Sequence, residues 1–402
     1  MARKTKTSAE NTAPDITTEG DAEEFMRLSL LAIDSTSRFE DHRIDQALEL
    51  LCRRHLDRGE DSDIEAALSR LKEADSPAYD ELLAMSEDCA QTRLDDKGAA
   101  LLVLVPLLCW SRYVIAHGPV TPTEGLLAVG ELYRRCFASS EARVSVGNCL
   151  LSADNLPEGL LGVRGLLSRL ADHKPLKNGL VDIRPLLKND PPHDFADVRY
   201  LAIAVSAPTP EKLFAPLSPD YEEHARRLMD FCLSSREHLM EAMAGSCIDV
   251  QPPSAYFTSW RQADMAMRLF TLRALVKYVG CMGFEPSELI ATSAVFVRMG
   301  NQQQSMETDE VRVSIAAKSA PQTVIAGVVL PTLPEEYEQN QAFVAQLLSS
   351  CDVATIVSLP QTFPMEWCED CGAPLYANAD GYVRHLESPE GLDEQAFAPT
   401  LN

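Results

Sequence analysis

This 402-residue chain is short of positive charge, and it has no apolar run long enough to make a membrane helix. Lysine and arginine total 36 against 60 acidic residues, a formal charge of −24. Every phosphate contact needs a nearby cation, so this balance disfavours nucleic acid as a general partner. It disfavours an anionic membrane surface for the same reason. By itself, the acidity supplies solubility and self-repulsion. The most apolar stretch, Ala99 to Trp110, runs for 12 residues and contains Pro106. A bilayer span needs about 20. The stretch therefore reads as buried protein core, with no membrane partner.

Other absences narrow the chemistry. No Gly-x-Gly-x-x-Gly follows a strand pattern and no Walker-type loop occurs, so dinucleotide and nucleoside-triphosphate sites lose their usual support. No Gly-x-Ser-x-Gly elbow and no His-Glu-x-x-His helix motif appears. The start, Met1 to Gly20, is polar and has no apolar export-signal core. Residues 1–18 are expected to be a disordered tail. With no export signal, the 11 cysteines are expected to be reduced thiols in a cytoplasm. Most sit inside apolar runs, where a free cysteine acts as a small hydrophobe.

The patterning that is present gives an order of elements. Residues 19–95 carry helical stripes: Phe25, Leu28 and Leu31; Ile44, Leu48, Leu51 and Cys52; Ile64, Ala67, Leu68 and Leu71. Three or four helices are expected there. A first α/β module is expected over 96–190. Thr121-Pro122-Thr123-Glu124 starts a helix to about Phe137, because threonine caps, proline suits the first turn and glutamate closes a capping box. A strand over Arg143 to Leu151 and a helix from Pro157 to Leu170 follow. Beyond 191 the order returns: a strand over Val198 to Val205, a helix opened by Ser218-Pro219-Asp220, a strand over Cys247 to Val250, then another helix. Apolar stripes are expected at Tyr221, Ala225, Leu228, Cys232, Leu239 and Met243, and at Tyr256, Trp260, Ala263, Met267, Phe270, Ala274 and Tyr278.

The two segments also share letters. Cys136-Phe137-Ala138-Ser139-Ser140-Glu141 leads to Cys149, and Cys232-Leu233-Ser234-Ser235-Arg236-Glu237 leads to Cys247. A duplicated strand–helix–strand–helix unit and chance similarity both explain this. Further on, Leu289 to Arg298, Glu310 to Ala317 and Thr323 to Leu330 read as strands, the last two antiparallel. Val311, Val313 and Ile315 alternate with Arg312 and Ser314, the pattern of a strand with one face in water. A helix from Pro334 to Leu348 and a strand over Ala354 to Leu359 complete the second module, 191–360. The expected class is α/β in the α+β sense: a helical N-terminal region, duplicated ferredoxin-like mixed-sheet modules, and a C-terminal cysteine knuckle in 361–402.

The knuckle carries the chemistry. Two thiols two residues apart in Trp367-Cys368-Glu369-Asp370-Cys371-Gly372 can turn toward one ion, with Gly372 relaxing the turn. Thiolates are soft ligands that suit Zn²⁺ without redox chemistry. His385, fourteen positions after Cys371, is the third candidate ligand, and Cys351 is the fourth if the chain folds back. Glu369, Asp370 and Glu387 are weaker donors. The sequence has no second Cys-x-x-Cys, so unligated thiols and a redox pair remain open. Against a redox pair, Glu366, Glu369 and Asp370 oppose thiolate formation, and Gly372 and Pro374 oppose a helix start.

Other polar residues have plainer readings. His117 and His193 read as loop histidines. His224 and His238 lie about 21 Å apart on one helix, too far to share an ion. Asp249 at a strand end, Arg261, and the polar loop Asn301 to Thr308 would line a small-molecule cleft if the chain is an enzyme. An Arg261–Asp264 surface pair explains Arg261 equally well.

Two stretches resemble an uncharacterised bacterial family, mainly beta-proteobacterial, that carries a domain-of-unknown-function label. They are Leu101-Leu102-Val103-Leu104-Val105-Pro106-Leu107-Leu108-Cys109-Trp110-Ser111-Arg112-Tyr113 and the run from Phe363 to Tyr376, with His385 and Pro389-Glu390 after it. The resemblance spans about 95 to 390 and implies a bacterial, cytoplasmic protein. It implies no activity, substrate or catalytic residue. The functional expectation is a scaffold or protein-interaction module, with an unidentified protein partner and a structural zinc knuckle. An enzyme acting on a small molecule is the alternative.

Overall fold

A computed structural model describes residues 19–111, 120–187, 196–216, 220–243, 246–298 and 309–387. The expected tail 1–18, His117, His193, Ser218-Pro219, the loop 301–308 and Pro389-Glu390 lie outside the described residues. The chain divides into two compact units: Met1–Leu94 with Glu158–Leu167, and Asp95–Pro157 with Ser168–Asn402.

The first unit is helical: α1 (Glu19–Asp34), α2 (Arg38–Arg58), α3 (Ser62–Ala74) and α4 (Ser76–Gln91). Local signals set the ends. Ser37 caps α2 by accepting from the Glu40 amide, and Gly59 ends it at φ 75°. Asp75 caps α4, with Pro77 in its first turn. Phe25, Leu48, Cys52, Ile64, Ala67, Leu71 and Leu82 are fully buried, so the helical stripes pack inward. Leu31 departs from its stripe and is 40% exposed. His55, 2% exposed, ends α2 with its ring edge against Phe25. Its Nε2 lies 3.2 Å from Asp21 and its Nδ1 3.8 Å from Asp63. Both aspartates sit in first helical turns, where the helix dipole favours a negative charge, and His55 sits in the last turn of α2.

The short strand β1 (Thr92–Asp95) leads into the second unit. That unit holds β2 (Gly98–Trp110), α5 (Thr123–Cys136), β3 (Arg143–Ser152), the end of α6 (Gly159–Asp172), β4 (Ala196–Ala207), α7 (Tyr221–Leu239), β5 (Cys247–Val250), β6 (Ser254–Ala255) and α8 (Tyr256–Cys281). β2 and β4 pair antiparallel from Ala99↔Ala207 to Trp110↔Ala196. β3 pairs with β4, and β5 with β2, both antiparallel. The order is therefore β5-β2-β4-β3. Each β–α–β half is split by the first strand of the other, and α5 packs on α7. This is the interleaved split βαβ of ferredoxin-like folds.

The similar segments, expected as successive modules, thus share one sheet. The physical reason is the edge of each leading strand. β2 and β4 are buried almost throughout and need a partner on both sides, which a separate half does not provide. Pro106 fits within β2 for a related reason. Its carbonyl accepts from the Gln251 amide, so its missing N–H faces the break between β5 and β6 and not β4.

The α7 stripe also differs from expectation. Phe231, Ser235 and Leu239 are buried, and Phe231 meets the rings of Tyr133 and Phe137 at 6.3 and 5.3 Å. Tyr221 is 81% exposed because it lies in the first turn, beyond the helix facing it. Trp260 of α8 is 46% exposed, and Ser259 instead faces inward, bonding the Leu104 carbonyl at 3.1 Å.

The rest of α8 covers a second sheet: β7 (Leu289–Val297), β8 (Asp309–Ala317), β9 (Ala326–Thr332) and β10 (Thr355–Pro364), in the order β10-β7-β8-β9. β7, β8 and β9 run antiparallel, and β10 is parallel to β7 after the crossover helix α9 (Tyr337–Ser350). Val311, Val313 and Ile315 pack under α8 and α9. The other face is not in water. Arg312 and Ser314 are 1% and 2% exposed, because the chain after β10 folds back over them. The half-solvated reading of β8 is corrected here: alternation distinguishes two faces, but not what covers each. The class is α+β. No helix of the described residues is long and apolar enough to cross a membrane.

Candidate metal centre

The returning chain forms a thin layer on the second sheet. Its hairpin pairs β11 (Tyr376–Ala377) with β12 (Val383–Arg384). Asn378 shapes the hairpin turn, its side-chain oxygen accepting from the amides of Asp380 and Tyr382 at 3.1 and 2.9 Å. Among the described residues, a small apolar cluster joins the layer to the sheet: Ala294, Phe296, Leu359, Phe363 and Ala377, with Val357, Met365 and Val383 packed against them.

Polar groups fasten this layer. Arg312 reaches up from β8 with no side-chain exposure. Its guanidinium donates to Glu310 Oε2 at 2.6 Å and to the carbonyls of Glu366 and Leu375 at 2.8 and 2.7 Å. It also lies over the rings of Phe296 and Trp367, at 4.4 and 5.4 Å. Ser314 Oγ donates to the Ala377 carbonyl at 2.6 Å. Gly327 on β9 leaves room for Tyr376, since a Cβ there would sit 2.5 Å from the ring.

Glu366 and Leu375 flank the cysteine turn. Within it, the Cys368 amide donates to the Ala373 carbonyl and the Gly372 amide to the Cys368 carbonyl, both at 2.8 Å. Gly372 takes φ 71°, the left-handed conformation that closes the turn at little cost. Both thiols consequently sit beside His385, which follows β12. One donor atom from each of Cys368, Cys371 and His385 lies within 4.8 Å of the others. Cys371 Sγ is 3.1 Å from His385 Nε2. A tetrahedral ion with metal–sulfur near 2.3 Å and metal–nitrogen near 2.0 Å needs about 3.6 Å between them, so a shift of about half an ångström admits it. His385 Nδ1 lies 2.6 Å from the Leu386 carbonyl. A carbonyl only accepts, so Nδ1 is the donor there and Nε2 is the ring nitrogen that faces the Cys371 sulfur, the one available to a metal. This Cys-Cys-His cluster can hold a metal ion.

Other sequence candidates lie elsewhere. Cys351 ends α9 and packs into the core on the helical face of the sheet, away from the three donors. Glu369, Asp370 and Glu387 do not join the cluster. Asp249 is exposed and is held by Gln251 Nε2 at 2.8 Å. Arg261 is exposed, and Asp264 faces Arg268 at 3.9 Å. Neither Asp249 nor Arg261 lines the groove of about 300 Å³ at the end of α5, whose walls include Tyr133, Phe137, Phe214 and Arg227. Sequence reasoning missed Arg312, although an arginine between valines in a strand was a visible signal.

The cluster could hold a metal ion, and comparisons with known proteins add no activity to it. No curated protein matches the chain, and no solved structure matches it. Residues 12–398 match the family described as "Protein of unknown function (DUF2863)", which is nearly the whole length, and the chain belongs to that family.

Proposed function

We propose that the chain is a protein-interaction scaffold whose C-terminal layer is fastened by a structural zinc ion on Cys368, Cys371 and His385. The observation that carries the reading is the meeting of two sulfurs and one oriented imidazole within 4.8 Å. Zinc suits this soft donor set, needs no redox partner and accepts the small turn the donors make. The apolar cluster beneath the layer is small, so a metal cross-link contributes where hydrophobic burial cannot. Beside the centre, Trp367 and Tyr382 are 45% and 59% exposed, and exposed aromatics are the side chains that anchor protein interfaces.

The test is metal analysis of the full chain purified without added zinc, beside a Cys368→Ser/Cys371→Ser variant. One equivalent of zinc in the wild type and none in the variant supports the reading. Equal zinc in both ends it. Native co-purification with and without a chelator tests the scaffold role, and a partner set indifferent to metal removal contradicts a metal-dependent surface.

A further inference from the structure

Three helix ends in the first unit bring a second set of donors together. Asp21 comes from the first turn of α1, His55 from the last turn of α2 and Asp63 from the first turn of α3. One donor atom from each lies within 4.8 Å of the others. The side chains of His55 and Asp63 are 2% and 12% exposed, while Asp21, at 56%, faces solvent.

Two carboxylates this close repel one another unless a positive charge lies with them. A proton on the ring and a metal ion both supply one, and the distances distinguish the two. His55 Nε2 lies 3.2 Å from Asp21 Oδ2. A carboxylate only accepts, so Nε2 is the donor there and Nδ1 is the ring nitrogen available to an ion. Nδ1 lies 3.8 Å from Asp63 Oδ2, beyond hydrogen-bond reach. A buried imidazolium would close that gap to about 2.8 Å, because ionised pairs make the shortest bonds. Nitrogen and oxygen ligands at about 2.0–2.1 Å from a tetrahedral ion stand about 3.4 Å apart, which is nearer to the spacing observed. Nδ1 is also buried, and among the described residues no hydrogen bond reaches it.

We propose that this junction is a second metal site, in which His55 Nδ1 and the Asp63 carboxylate bind a first-row divalent cation and Asp21 holds the ring in place from its other nitrogen. Imidazole and carboxylate suit such ions, and a carboxylate behind the ligating ring is the usual support of a metal-binding histidine. Two protein ligands hold an ion more loosely than the cysteine cluster does. The site therefore fills when metal is added and empties during purification without it. An ion there ties α2 to α3.

The test uses the full chain carrying Cys368→Ser/Cys371→Ser, so that the cysteine cluster takes no part, with Zn²⁺ titrated by calorimetry. One equivalent is expected to bind. Adding Asp63→Asn or Asp21→Asn is expected to weaken binding by about tenfold or more. Glu65→Gln removes an exposed acidic charge from the same turn of α3 and is expected to change nothing. Asp21 is exposed, so its variant reports even if Asp63→Asn fails to fold. Equal affinities in Asp21→Asn and Glu65→Gln mean that net charge alone attracts the ion, which overturns the inference. Failure to bind Zn²⁺ overturns it too, since zinc lies near the tight-binding end of this series of ions. Either result leaves the cysteine centre standing, because its zinc is measured on the chain with both cysteines.

Discussion

Arg312→Met is the most informative single substitution in the molecule. The change keeps a long apolar stem and removes a guanidinium that is fully buried and makes three hydrogen bonds. Two of its acceptors are the carbonyls of Glu366 and Leu375, which lose their charged donor. Each such bond contributes about 1.5–3 kcal/mol, and an acceptor left dry costs about as much. Glu310 retains 20% exposure and can turn to water, so its share is small. The two bonds sum to about 3–6 kcal/mol. Removing Nη2, which is buried and has no hydrogen-bond partner among the described residues, offsets part of it, so the net loss is about 3 kcal/mol, concentrated in the layer over the second sheet. Because both carbonyls flank the cysteine turn, zinc affinity should fall about 10–100-fold, as when the groups that hold a metal's ligands in place are removed. Arg312→Lys should recover only part, since an ammonium cannot fork to both carbonyls. Zinc affinity by chelator competition and hydrogen exchange at the Gly372 amide measure the two effects. Wild-type affinity together with wild-type exchange in Arg312→Met would refute the reasoning.

Further predictions follow from the packing and charges. Gly327→Ala should destabilise by about 1–3 kcal/mol, because its Cβ would press on Tyr376. Gly280→Ala on α8, where the added methyl meets open space, should be neutral or stabilising by up to about 1 kcal/mol; thermal unfolding of both variants checks the contrast. His55→Ala should cost about 2 kcal/mol, since it opens a cavity beside Phe25 and removes the ring between Asp21 and Asp63. Unchanged exchange protection in α1–α3 would contradict that. Hydrogen bonds from Arg184, and then from Asn148 and the Arg184 amide, hold Asp182 down from 3.8 to about 2. The unfolded chain binds this proton first as pH falls, so the stability Asp182 contributes is complete above about pH 4 and is lost through about pH 2. Asp182→Asn should flatten that part of an acid-unfolding profile, and an unchanged profile would show the pair to be inert.

The elements were legible in the sequence to different depths, for physical reasons. Helix and strand positions followed from periodicity and capping. The Cys-x-x-Cys motif with His385 pointed to the three residues that the fold brings together. Strand partners were not legible. The likeness around Cys136 and Cys232 suggests two similar halves, but local letters do not say that each half lends its first strand to the other. Arg312 was read as solvent-facing because alternation cannot reveal a layer laid down 54 and 63 residues later, at Glu366 and Leu375. On α7, Phe231 was missed because the stripe was drawn through Tyr221, whose first-turn position has no opposing surface. Cys351 looked available because distance along the chain does not show which face of a sheet a residue occupies.

Zinc K-edge X-ray absorption on the full chain, purified without added metal, tests the central claim most directly. The account predicts two sulfur scatterers at about 2.3 Å and light-atom scatterers at about 2.0 Å, one of them with the outer-shell pattern of an imidazole. Zinc surrounded only by oxygen and nitrogen, or no zinc in the protein, would contradict it.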